Sequence, residues 1–286
     1  MQQHGGLALG MVLALCGAVH AGVVIEMGEL DVASGKVTPR NAMYVQNGAL
    51  STVNADGKNA FLFRDSSMIV LDSSSRTYRV VDKAAMDKMA GKVNDMMAAV
   101  QARMASMPPE QRAAMEHAMQ GLGQGVSGAA AAPKAHTFDA VDTGTSATAG
   151  GRTCHLWNSL RDGKPTEQLC VVPETSLPGA NEVMSAIRNA GAFSAQLQET
   201  LATRGGAIGA GGARASNPGD MMSQSLEMVH KLGGVPVATR HIDATSGSLA
   251  PTEMVMTKWQ QRNIDAAQFE IPAGYSRKDL MEGRAP

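Results

Sequence analysis

The chain has 286 residues, 44 % of them hydrophobic and 18 % charged, with a formal net charge of −1. That balance offers no basic excess for nucleic acid or an anionic membrane surface, and the length suits one large domain or two small ones. Aromatic residues make up only 3 % while 31 Gly and 20 Met are present, so small and flexible side chains must fill much of the core.

The stretch GLALGMVLALCGAVHAG is a short apolar run ending in Val19-His20-Ala21, a small-residue cleavage site before Gly22. It is too short for a permanent anchor, and no later run approaches the ~20 apolar residues that a transmembrane span needs. Residues 1–21 are expected to be a signal peptide cut between Ala21 and Gly22, leaving residues 22–286 as one periplasmic domain without a transmembrane anchor. An uncleaved anchor or a lipoprotein is the alternative: Cys16 is present, but Leu15 precedes it where lipidation sites carry a small residue.

Residues 22–81 read as a β-meander, with VVIEM, NAMYVQNGAL, AFLFRD, MIVLD and TYRVVD separated by turn clusters such as NADGKN and DSSSR. A first helical insert is expected near residues 82–120, broken at Pro108-Pro109. Within it Met86, Met89, Val93, Met96, Met97, Val100, Met104 and Met107 recur at close to 3.5-residue spacing. Asp87, Lys88, Lys92, Asp95, Gln101 and Arg103 fall mostly away from that seam, so it packs against something.

The low-complexity segment GLGQGVSGAAAAP links this insert to strands around HTFDAVD, GRTCHLWNSLRDG and TEQLCVV. Once the leader is removed, only Cys154 and Cys170 remain, on either side of an Asp162-Gly163 hairpin turn. Counting back from the turn sets them opposite one another to within one position. Facing Cβ atoms there lie ~4.5–5.5 Å apart, close enough for a disulfide after local adjustment. A redox pair or metal ligands are the alternatives, and no CxxC spacing supports them.

A second helical insert is expected near residues 178–233, with Val183, Ile187, Ala190, Leu197 and Leu201 on one face. Its glycine-rich interruption, residues 205–212, matches neither GxGxxG nor GxxxxGK[ST]. Asn217-Pro218 reads as a helix start and Gly233-Gly234 as a stop. VPVATRHID, PTEMVMTKWQQRNI and the tail FEIPAGYSRKDL close the chain. The sum is α+β: an antiparallel sheet of about ten strands with two helical inserts covering one face.

Catalytic signatures are missing: there is no GxSxG elbow, no HExxH helix and no cysteine left over as a nucleophile. The chain reads as a non-enzyme with no cofactor and no preformed metal site. Of the histidines His117, His136, His155, His230 and His241, none is paired at helical spacing, although His155 and His241 lie in strands that the fold can bring together. Three readings of the methionine face stay open: ordinary packing, an adaptable apolar surface for a lipid or an envelope protein, or a copper(I) site. A copper(I) site needs two or three thioethers converging on one point, and Met86 and Met89 supply two.

The order of elements, with Cys154, Trp157 and Gly163 in the hairpin and Phe269, Ile271, Pro272, Gly274 and Tyr275 in the tail, resembles an exported bacterial family of unknown function. That family is similar to the lipoprotein-carrier (LolA-like) half-barrels. The resemblance implies a large curved half-barrel sheet capped by helices and a cavity for acyl chains. It implies a non-enzymatic periplasmic binding protein for a lipid or acylated protein. An envelope interaction or sensor module using the methionine helix is the alternative, and a soft-metal (copper) binder is the third reading.

Overall fold

The computed structural model describes residues 21–106, 108, 137–204 and 231–280. In chain order they form β1 (Gly22–Asp31), β2 (Val37–Gln46), β3 (Ala49–Asn54), β4 (Asn59–Arg64), β5 (Ser67–Asp72), β6 (Thr77–Val81) and helix α1 (Lys83–Ala105). There follow β7 (Phe138–Ala149), β8 (Arg152–Arg161), β9 (Lys164–Pro173), helix α2 (Ala180–Arg204), β10 (Gly234–His241), β11 (Thr252–Arg262) and β12 (Ser276–Arg277). The fold is α+β, as the sequence pattern leads one to expect.

All twelve strands belong to one open sheet in the order β12-β6-β5-β4-β3-β2-β1-β11-β10-β9-β8-β7. Two features correct the expectation of about ten antiparallel strands. The segment NAMYVQNGAL is two strands, because Asn47 and Gly48 (φ 53° and 77°) form a two-residue hairpin turn inside it. The tail adds the two-residue strand β12 parallel to β6, which makes the sheet mixed. A two-residue strand carries no alternation for a pattern to reveal.

Strand β1 is central, pairing β2 on one side and β11 on the other along its whole length. The register lines up Val23, Val45, Leu50, Phe63 and Met68 across β1 to β5. Val23 and Val45 are wholly buried, and Leu50 and Phe63 are 4 % and 5 % exposed. Helix α2 supplies the other side of this layer with Ala180, Val183, Ala186, Ala190 and Phe193. Burying each of the larger side chains contributes roughly 1.5–3 kcal/mol, more than helix propensity alone can give a 25-residue amphipathic segment.

Helix α2 is held close at its start. A Cβ on Gly179 (φ 77°) would lie 2.6 Å from Val23 Cγ2, so only glycine lets the chain enter the helix there. Trp259 Nε1 donates to the Pro178 carbonyl (2.8 Å), and Glu182 accepts from the Asn47 N–H (2.7 Å).

The opposite face of β4 to β6 is covered by the tail and by neither described helix. Ile271 and Tyr275 pack on the cluster of Leu62, Ile69 and Leu71. The tail hydroxyl of Tyr275 lies 2.8 Å from Ser73 Oγ, and Ser276 and Lys278 donate backbone N–H groups to Arg76 and Tyr78. At the far end of the sheet Leu232 packs with Leu169 and Val171 beside Trp157. The residues past Ala105 that extend the first helical expectation, the Asn217-Pro218 helix start and residues 205–212 lie outside the described residues. Gly233 (φ 59°) does end the second helical region as its position implies.

Candidate functional site

The two cysteines come together first. Cys154 on β8 and Cys170 on β9 form a disulfide with Cα atoms 5.3 Å apart, and both are 2 % exposed. The Asp162-Gly163 turn has φ values of 53° and 76°, the two-residue hairpin geometry. The register is shifted from the facing arrangement: Cys170 pairs with Leu156, two residues from Cys154. An irregularity between Ser159 and Leu160 widens the offset from one position to two, and the bridge runs diagonally.

Beside the α2-covered row lies a second one. Trp259, Ile25, Met43, Thr52, Phe61 and Val70 line up across β11 and β1 to β5. Ile25 is 6 % exposed, Met43 and Phe61 are half-buried, and Val70 is 44 % exposed. Cover therefore falls away from α2 along a row that stays apolar at all but one position. Helix α1 touches α2 and β6 at the side of this region.

Helix α1 is seated by its first turns. Asp82 caps it, accepting from Ala85 N–H at 2.7 Å. Met86 is 3 % exposed and Met89 is half-buried. Lys88 and Lys92 both reach Asp279 of the tail, at 2.9 and 3.3 Å. Hydrogen bonds from Lys88 and then Lys92 hold the Asp279 carboxyl down at about 2, against an ordinary 3.8. This latch has no local signature, because Lys88 and Asp279 are 191 residues apart in sequence. The side chains of Val93, Met96, Met97, Val100 and Met104, and all of Met107, lie outside the described residues.

A cleft of about 450 Å³ opens beside the middle turns of α2, between the turns after β2 and β4. Its floor is the ring pair Phe63–Phe193, with centroids 5.8 Å apart, and Asn47, Arg64, Asn189 and Gln196 make most of its wall polar. It brings together no histidine or cysteine, and Asp65 is its one carboxylate. His155 and His241 do not meet: they pair with Val171 and Glu167 of β9, on opposite sides of that strand and four residues apart along it. Among the described residues no group of three His, Cys, Asp or Glu side chains is placed to hold a metal ion. No helix among them is long and apolar enough to cross a membrane.

No family model matches this chain. Nor does any curated protein match it. Among solved structures it is similar to an uncharacterized conserved protein from Thermus thermophilus, at 5 % identity and a TM-score of 0.38 over 91 % of each chain. A likeness so remote says nothing of what either protein does.

Proposed function

We propose that this chain is a non-enzymatic exported binding protein for an apolar or acylated ligand, built in the manner of the lipoprotein-carrier half-barrels. The observation that carries the reading is the row Ile25, Met43, Thr52, Phe61 and Val70, apolar at all but Thr52, buried at Ile25 and exposed at Val70. An aliphatic chain laid along it removes apolar surface from water at about 25 cal/mol per Å². Met43, with Met89 of α1 half-buried and close in sequence to the seated Met86, gives the site side chains that repack at small cost around varied shapes. Export fits the disulfide, since such bonds persist in oxidising compartments. On this reading the mature chain begins at Gly22, in the periplasm, and Edman sequencing of the purified protein gives that residue first.

Binding is tested by extracting the protein purified from its native host and identifying co-purified lipid by mass spectrometry, then titrating with a fluorescent fatty-acid analogue. Val70→Asp and Met43→Gln are expected to weaken the analogue at least about tenfold, which corresponds to 1.4 kcal/mol. An analogue that fails to bind, together with a lipid-free extract, sinks the proposal. Stoichiometric copper(I) binding lost on replacing Met86 and Met89 by leucine would favour the metal reading instead.

A further inference from the structure

Four of the five large hydrophobic side chains most exposed on the described surface gather around one row of polar groups. They are Val32, Val37, Val141 and Leu249, at 40, 41, 49 and 37 % exposure. The register places Val141 beside Asn158, Asn158 beside Gln168, and Gln168 beside Arg240. On the next strand Glu253 lies one step beyond the pair Thr239–Met254; it pairs in turn with Leu30, and Leu30 with Val37. At roughly 4.8 Å per strand the row runs for roughly 29 Å across seven strands. Val32 and Leu249 flank it, through the Val32 N–H bond to the Pro251 carbonyl and the Ile242–Leu249 bridge.

The row borders the core directly. Two residues along β9, β10 and β11 stand Cys170, Ala238 and Val255, at 2, 1 and 3 % exposure. The polar groups are consequently half-desolvated. Arg240 spends its Nε–H on the Ala250 carbonyl (2.6 Å) and closes no salt bridge to the neighbouring Glu253. Burial raises the Glu253 carboxyl above its ordinary range, and the charge of Arg240 offsets this only in part. The Oδ1 atom of Asn158 is buried without a hydrogen-bond partner among the described residues. An arginine and other half-desolvated polar groups ringed by exposed aliphatic side chains have the composition of a protein interface.

The charges indicate which partner. Arg240 and Glu253 stand side by side with opposite sign, so the row carries no net field that selects an acidic or a basic protein. It is instead complementary to itself: a two-fold axis between the two residues sets each arginine against the other copy's glutamate. We propose that a second copy of this chain docks on this row as a two-fold dimer, the Arg240 and Glu253 side chains pairing reciprocally and the four aliphatic side chains closing around them. The chain's net charge of −1 adds almost no long-range repulsion between copies.

Sedimentation equilibrium of the mature protein tests this. The wild-type chain is expected at twice its monomer mass. Arg240→Glu and Glu253→Arg should each give monomers, and the double variant carrying both should return to the dimer. Val141→Arg, remote from the Ala250 hydrogen bond, should also weaken association, and circular dichroism checks that each variant remains folded. A wild-type chain that stays monomeric at its highest soluble concentration overturns the proposal. So does a dimer that survives Arg240→Glu unchanged, or a folded double variant that remains monomeric.

Discussion

A cysteine pair, a glycine and an aspartate show how much individual residues can decide. The Cys154–Cys170 bridge closes a loop with a sequence separation of 16, for which the chain-entropy relation gives about 3 kcal/mol. Replacing both cysteines by alanine should lower the urea unfolding free energy by about 2–4 kcal/mol, and Ellman titration of native protein should find no free thiol. Gly22 is constrained by space: a Cβ there would lie 2.5 Å from the Val45 carbonyl oxygen and 2.7 Å from Ile264 Cδ1. Gly22→Val is therefore expected to destabilise by at least about 1–3 kcal/mol, read as a fall in the thermal midpoint. Asp279 is a matter of charge. Its folded value of about 2 lies below the ordinary 3.8, so whatever the latch adds to stability is present above that ordinary value. The contribution is lost as pH falls through about 2, and near neutrality pH should leave the latch intact.

At the scale of elements, α1 and the C-terminal tail depend on one another. The described contacts of α1 are with α2 and β6, and its ion pairs Lys88–Asp279 and Lys92–Asp279 run to the tail. The tail in turn covers Leu62, Ile69 and Leu71 through Ile271 and Tyr275. Asp279→Asn should speed amide exchange in the first turns of α1 and around residues 276–278 while leaving β1 and β2 protected. Equal exchange in wild type and variant would show that the latch holds nothing. Because these pairs are exposed, salt should act in the same direction as the substitution. Ile271→Ala should cost about 1–3 kcal/mol by uncovering the Leu62 cluster, a loss that salt will not imitate.

For the whole molecule, the decisive fact is that β1, the first described strand, sits in the middle of the sheet, with β2–β6 stepping outward on one side and β11 back to β7 on the other. Long-range pairing of β1 with β11 has to wait for nearly the entire chain, whereas β1 to β6 is a run of local hairpins. A chain ending before β11 should leave one edge of β1 unpaired and aggregate, while the β1–β6 meander still forms strand structure by far-ultraviolet circular dichroism. A truncated chain that stays soluble and monomeric would contradict this order of dependence.

Local chemistry made part of this legible in advance. The Asp-Gly turn, the alternating strands, the apolar face of Val183, Ile187 and Ala190, and the pairing of the last two cysteines each depend on near neighbours, and periodicity reads near neighbours. The fine register was less accessible: the bulge between Ser159 and Leu160 moved the cysteines from within one position of facing to two positions apart, and one inserted residue leaves no mark in composition. What only the tertiary structure decided were meetings between remote segments. Among them are the tail lying on the sheet face opposite α2, Asp279 bridging Lys88 and Lys92, and Arg240 beside Glu253 within a ring of exposed aliphatic side chains. By itself the sequence determined where most of the strands and the two helical regions lie and which face of each is apolar, because those follow from backbone sterics and spacing along the chain. Which apolar faces end up covered, and by what, was settled by the order of the strands and the path of the loops, to which no local pattern is sensitive.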